Sequence, residues 1–315
     1  MSRLLSSRYA ALMFVALVVI VPGLMLNSSF YLRVGALIFI FGFAALGLNL
    51  LMGYAGQVSL GHAGFIGIGA YATAVLPTHF GWNIFAAMAA GVAGAGLIAY
   101  IVGGPILRLK GHYLAVATLA LGILISMVIS NEVKYTGGPD GMAVPRLEVF
   151  GFRLRTAQHW YWISGGVLFL GIVAAQNLIE SPTGRALRAL HDSEVAAGTL
   201  GIDAARYKLI AFVVSAVYAA ISGVCFALLN GHITPDSASF LRSVELVTMV
   251  VIGGMGSILG ALVGAALLGL LEQLLAQFHE VETLILGLVM MAVMIFMRDG
   301  IVPTLQRLLF SRRAS

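Results

Sequence analysis

Ten apolar runs divide this chain, at about residues 10–27, 30–53, 63–79, 84–107, 112–130, 161–179, 207–230, 240–253, 257–276 and 283–298. Most of them approach the roughly 20 residues that an α-helix needs to cross the hydrocarbon core of a bilayer. None shows the alternation over about ten residues that marks a membrane β-strand. A chain that must satisfy every backbone polar group without water has few options, and runs of this length leave the helical one. Composition agrees. Charged residues make up 10% and the mean hydropathy is +0.99, whereas soluble domains carry about 25% charged residues. The prediction is an all-α integral membrane protein of about ten membrane segments, packed as a single transmembrane domain over residues 1–315. The third and eighth segments are short or glycine-broken.

The basic residues then orient the segments. With the N-terminus inside, ten segments put Arg3, Arg8, Arg108, Lys110, Arg185, Arg188, Arg206, Lys208, Arg298, Arg307, Arg312 and Arg313 on the cytoplasmic side. That is 12 of 18 Lys and Arg, the bias that the positive-inside rule expects. Arg33, Lys134, Arg146, Arg153, Arg155 and Arg242 fall outside. Nine segments would put the last four arginines outside and weaken the bias, so both termini are predicted to be cytoplasmic. The net charge of +5 is thus a topology signal, and no nucleic-acid partner is implied. The N-terminal stretch has the outline of a signal peptide, but its apolar part runs some 17 residues with no small-residue cleavage site, so it is read as an uncleaved first span. Cys225, the one cysteine, lies in an apolar run and reads as a small buried residue.

Residues 180–208, ESPTGRALRALHDSEVAAGTLGIDAARYK, form a polar cytoplasmic loop with helix signals of its own. Ser181-Pro182 is a helix start, Asp192 and Ser193 offer a second N-cap with Glu194 in the next turn, and Gly201 can close that helix in the left-handed conformation. Two short helices outside the bilayer follow from this. Ala196, Ala197 and Gly201 offer a small-residue surface to a partner, and Arg185, Arg188 and Arg206 bring charge that can set a docking orientation. The plainer alternative is a solvated loop whose arginines only fix topology.

Two further stretches break the helical pattern. In 46–74, Gly53, Gly56, Gly61, Gly64, Gly67 and Gly69 crowd around the polar Asn49, Gln57, Ser59 and His62. Glycine at this density weakens a regular helix. Irregular backbone at membrane depth survives only where protein or a water-filled cavity satisfies it. The stretch reads either as a broken helix on a substrate path, with Asn49, Gln57, Ser59 and His62 as path residues, or as close helix packing through small residues. In 248–269, Gly256, Gly260 and Gly264 recur every fourth residue and predict a helix–helix or subunit contact, with a turn at 251–257. The two glycine-rich stretches fall in the two halves of the chain, as an internal duplication would have it. Residues 131–160 form the longest external segment, with turn residues at 136–141 and with Trp160 and Trp162 placed for an interfacial belt.

Several chemistries are excluded. Lys110, Lys134 and Lys208, the only lysines, follow Leu, Val and Tyr, so the chain has no G-K-[ST] phosphate loop. His62, His112, His191 and His232 form no metal-binding pattern, and no hydrolase or CxxC motif occurs. Every Asp and Glu falls in a loop or at a segment end, with Glu132 and Glu245 nearest the membrane and Glu272, Glu280 and Glu282 outside. Many self-sufficient secondary transporters need a buried coupling carboxylate, so a membrane subunit driven by other proteins is favoured. A stand-alone transporter and a non-transporting scaffold are the alternatives from other classes.

The cytoplasmic loop resembles the coupling loop of ABC importer permeases, whose E-A-A…G motif stands here as Glu194-Val195-Ala196-Ala197 and Gly201, with one extra residue after Glu194. The whole chain is similar to the LivM-type permease subunits of branched-chain amino acid importers. The stretches that carry the resemblance are 47–72, 111–120, 136–142 (TGGPDGM), 181–203 and 251–265 (VIGGMGSILGALVGA). The resemblance implies a permease in a bacterial inner membrane that translocates leucine, isoleucine and valine; urea, amides or other amino acids are the alternative cargoes. It implies a second homologous permease subunit, two cytoplasmic ATPase subunits, an external or periplasmic substrate-binding protein and surrounding lipid. ATP and magnesium would be held by the ATPases, with no cofactor in this chain. Coupling would pass through Arg185, Arg188, Glu194, Ala196, Ala197 and Gly201.

Overall fold

The computed structural model describes residues 8–25, 28–149, 152–154 and 156–275, with scattered positions between 284 and 304. Helices stand where the first nine apolar runs predict them: α1 (Arg8–Met25), α2 (Ser29–Asn49), α3 (His62–Phe80), α4 (Ile84–Ile106), α5 (His112–Asn131), α6 (Ala157–Glu180), α9 (Ala204–Asn230), α10 (Phe240–Gly253) and α11 (Ile258–Leu275). Between α6 and α9 lie the two short helices α7 (Pro182–Asp192) and α8 (Glu194–Thr199). Six stretches among the described residues are long and apolar enough to cross a membrane: 29–54, 84–106, 112–131, 157–180, 204–230 and 258–275. The protein is therefore a helical, multi-pass membrane protein. The run at 283–298, Glu280, Glu282 and the arginines from Arg298 onward belong to the part of the chain outside the described stretch, except for isolated positions.

The core is organised on α9, which packs against α2, α3 and α4, while α2 packs against α6 and α11. Leu48, Phe65, Phe212, Leu246 and Ala219 fill the centre with little or no exposure. Close approach depends on particular glycines. A Cβ at Gly69 would overlap the Ala220 carbonyl, and one at Gly223 would overlap the Ile66 carbonyl. The α3–α9 crossing is thus backbone against backbone, as small residues permit in membranes.

Two predictions are corrected. Glu245 is not at a segment end: it is the sixth of the 14 residues of α10. Arg242, in the first turn of α10, holds Glu245, and its guanidinium lies 4.7 Å from the Phe41 ring centre in α2. The second correction concerns Trp160, which is buried with its indole N–H on the Leu154 carbonyl (3.3 Å) and so is absent from any interfacial belt.

The segment after α5 is built from turns: a helical turn at Val133–Thr136, a 3-10 turn at Gly138–Asp140 and four two-residue strands. β1 (Met142–Ala143) pairs antiparallel with β4 (His232–Ile233), tying this segment to the turn after α9; β2 (Glu148–Val149) and β3 (Phe152–Arg153) form a hairpin. Gly137, Gly138 and Gly141 adopt φ of 78°, 63° and 72°, conformations that other residues seldom take.

Candidate functional site: the break after α2 and the helical loop beneath it

The end of α2 widens into a π-helical turn over Leu50–Tyr54, and regular structure then stops until His62. Gly56 makes the exit, with φ of 65°. Six residues of non-helical backbone, Gly56 to Gly61, need partners, and the rest of the fold supplies several. Gln57 N–H donates to the Leu51 carbonyl (3.1 Å). Leu60 N–H donates to Thr118 Oγ1 of α5 (3.1 Å), and Ala63 N–H to Ser243 Oγ of α10 (3.0 Å). The break is therefore held from α5, and one orphan donor at the start of α3 is capped from α10.

Three of the four polar side chains singled out in this stretch are buried within that scaffold. His62 is fully buried, with Nδ1 2.8 Å from Ser59 Oγ and Nε2 2.5 Å from Ser215 Oγ of α9. Its ring sits edge-on to Phe65 and Phe212. Asn49 donates to the Ser257 carbonyl (2.9 Å) and accepts from Gly256 N–H (2.9 Å), so it joins the break after α2 to the turn between α10 and α11. The fourth, Gln57, lines a cavity of about 470 Å³ together with Gly56, Lys110, His112, His191, Glu194 and Lys208, among others. The break and the loop 180–208 thus border one space, and Gly56 lies against His191 across it.

The loop itself folds by its own caps. Ser181 accepts from Gly184 N–H (3.3 Å), Ser193 from Ala196 N–H (3.2 Å) and Asp203 from Arg206 N–H (3.2 Å). Gly201 closes α8 with φ of 80° and nothing near its Cα hydrogens. Arg185 and Arg188 donate to the Glu180 and Ile179 carbonyls (3.1 and 3.0 Å), which are chain-end acceptors of α6. This is where a cation stabilises a helix C-terminus. Glu194 receives Lys208 Nζ at 2.7 Å. That hydrogen bond holds the Glu194 carboxyl below its ordinary range, against partial burial and with added attraction from Lys208 and Lys110. Because Lys208 is almost entirely buried near the N-terminal end of α9, the pair fastens α8 to that helix.

On α8, Ala197 faces inward, while Ala196, Gly198 and Thr199 are exposed. Val195 on α8 and Leu200 just past its end are 80% and 79% exposed, two apolar side chains standing out from a charged loop. Residue selection by motif passed over both, as it passed over Lys208. Two apolar residues flanking a small-residue pair in a charged loop were the available signal. In the second broken stretch, the Gly256–Gly260–Gly264 strip packs within the chain. A Cβ at Gly264 would overlap the Met249 carbonyl, and one at Gly260 would lie 2.7 Å from the Gly253 carbonyl; Gly256 lies against Gly53. Among the described residues, no group of three or more His, Cys, Asp or Glu could hold a metal ion.

Residues 30–297 match the family described as the permease component of branched-chain amino acid transport systems. The chain is 34% identical over 294 residues to the high-affinity branched-chain amino acid transport system permease protein LivM of Escherichia coli K12, covering 86% of this chain and 69% of that protein. To LivM of Salmonella typhimurium it is 33% identical, covering 82% of this chain and 66% of the relative. To LivH of E. coli, a permease protein of the same transport system, it is 30% identical over 260 residues, covering 76% and 82% respectively. The chain therefore spans about two thirds of the length of these LivM relatives. No solved structure matches it.

Proposed function

The chain belongs to the family of permease components of branched-chain amino acid transport systems, and from that premise we propose that it is the membrane permease subunit of an ABC importer for leucine, isoleucine and valine. In this reading it works in a bacterial inner membrane with a second, LivH-like permease subunit, two cytoplasmic ATPases and an external binding protein. Ten spans with both termini inside complete the topology. The chain carries no nucleotide chemistry of its own; ATP and magnesium belong to the ATPases.

The observation that carries the reading is α8. It is a short helix with an exposed apolar side chain at Val195 and another at Leu200 just past its end, fastened to a membrane helix through Glu194 and the buried Lys208. A solvated connector needs neither feature. The ATPases would dock on α8, with Ala196 and Gly201 allowing close approach and Ala197 seating the helix on the membrane domain. Displacement of α8 would then reach α9 through Glu194–Lys208. It would reach the break after α2 through His191 and Gly56. Arg185 and Arg188 would keep α7 fixed to α6 during that movement.

The cavity above the loop would be the inner end of the path, with Gln57 in its wall. Asn49, Ser59 and His62 would act there as positioning residues that keep the break open. A nucleotide can bias inward and outward states only through contacts that differ between them, and this loop supplies such contacts.

Co-purification tests the reading. The complex should retain ATPase subunits, and its hydrolysis should rise with a leucine-loaded binding protein. Stimulation by a urea-loaded protein instead would keep the machine and change its cargo. Transport by this chain alone, without an ATPase, would overturn it.

A further inference from the structure

The helices α4 and α9 leave a furrow between them that plays no part in the coupling reading. Two cavities lie along it, of about 640 Å³ and about 730 Å³. On α4, Ala89, Val92 and Gly96 line the first, while Tyr100 and Gly104 line the second. On α9, Val217, Ile221 and Val224 line the first, while Ile210 and Val213 line the second. Within each helix these residues recur every three or four positions, which places them on one face. The furrow therefore runs on from one cavity to the next, along two helices long and apolar enough to cross a bilayer.

Its two halves differ in charge. No charged side chain lines the first cavity. The second ends at Arg108, just past α4, and at Arg206, the third residue of α9. Both arginines are exposed, and among the described residues neither guanidinium has a hydrogen-bond or ion-pair partner. Asp203, in the same wall, caps α9 by accepting from Arg206 N–H (3.2 Å). Two arginines against one carboxylate leave this end cationic. Gly96 lies roughly 18 Å from Arg108 at about 1.5 Å per residue, a little over half of the roughly 30 Å hydrocarbon core. The matching occupant is an apolar chain of one leaflet's depth joined to an anion, and basic pockets between membrane helices hold lipid head groups in this way. We propose that the furrow binds an anionic phospholipid, its phosphate on Arg108 and Arg206 and one acyl chain laid along Gly104, Ile210 and Tyr100 towards Gly96. The site goes beyond the importer reading and depends only on the chain's place in a membrane.

The test uses the full-length protein, purified in mild detergent with whatever subunits accompany it. It is stripped of lipid and titrated with phosphatidylglycerol or phosphatidylcholine of identical acyl chains, and native mass spectrometry counts the lipid retained. The wild type should hold phosphatidylglycerol about tenfold more tightly. Arg108→Gln with Arg206→Gln should remove that preference. A Cβ at Gly104 meets nothing within 4 Å, so Gly104→Leu fills the furrow without a clash and should weaken both lipids about fivefold. Gly94→Leu is equally free of neighbours but borders neither cavity, and should bind as wild type. The proposal is overturned if the wild type holds the two lipids alike, or if the double arginine variant keeps the preference. It is overturned if Gly104→Leu binds as wild type, or if Gly94→Leu weakens binding as much. Displacement of phosphatidylglycerol by an equal concentration of inorganic phosphate would also overturn it, because the arginines would then hold a free anion. So would loss of an accompanying subunit from the Gly104→Leu or the double arginine variant, because the furrow would then be a protein contact.

Discussion

The chain breaks its helices twice with glycine, after α2 and between α10 and α11, and the two breaks meet at Gly53 and Gly256. They are nevertheless different objects. The second is filled by backbone, with Gly253, Gly260 and Gly264 so close to neighbouring carbonyls that no Cβ fits. The first borders a cavity on one side, touches the loop 180–208 at Gly56, and is held by hydrogen bonds to Thr118, Ser243 and Ser215. Glycine density in a sequence signals an interruption. What occupies the space around it decides whether the interruption is locked or able to shift.

Substituting each break should expose that difference. Gly264→Val forces a side chain into the Met249 carbonyl, and overpacked sites lose several kcal/mol when backbone must move, typically about 1–3 and sometimes more. The expected outcome is loss of most folded protein, read as a collapse of the monodisperse peak on size exclusion. Gly56→Ala meets only a side chain, His191, at 3.2 Å, although its φ of 65° adds strain. It should fold and lose transport. Equal folded yields for the two variants would erase the distinction.

The hydrogen-bonded pin comes next in size. His62→Ala leaves Ser59 and Ser215 buried without their shared partner, at a cost of roughly 1–3 kcal/mol for each group left unsatisfied. Thermal unfolding in detergent should show a clear fall in Tm. Adding Ser215→Ala should cost less than the sum of the two single changes, because a contacting pair is non-additive. Strict additivity would mean that the pin carries no strain between α3 and α9.

The smallest effect should come from the fastening of α8. Glu194→Gln keeps a hydrogen bond and removes the charge, so slower hydrogen exchange in 194–199 should be partly lost and transport should fall about threefold. The carboxyl has a folded value below its ordinary 4.5. Its contribution is therefore fully present above that ordinary value and disappears as pH falls through the lowered one. Exchange protection in wild type should be flat near neutrality and drop in acid, and Glu194→Gln should abolish the drop. A wild-type profile without an acid limb would show that the pair does not hold the helix.

Legibility in the sequence followed the range of the interactions. Segment positions, the Ser181, Ser193 and Gly201 signals and the break near Gly56 depend on neighbours within a few residues, and all are readable from order alone. The bond from His62 to Ser215 spans 153 residues and that from Asn49 to Ser257 spans 208. Nothing local distinguishes a polar side chain that pins two helices from one that lines a path. Lys208 reads as a topology charge until Glu194 is found beside it. Glu245 reads as a segment end until its ion pair with Arg242, one turn back in α10, is seen.

The β1–β4 ribbon has a mechanical corollary. It grips the C-terminal end of α9 through His232 and Ile233, while Lys208 grips the N-terminal end through Glu194. Between the two grips lies a 27-residue helix, about 40 Å of unbroken rod at about 1.5 Å per residue. A rod clamped at both ends conducts thrust either way. A load on the β1–β4 ribbon would push on α7 and α8, and a load on those helices would push back with the same coupling free energy, because linkage between two sites is reciprocal.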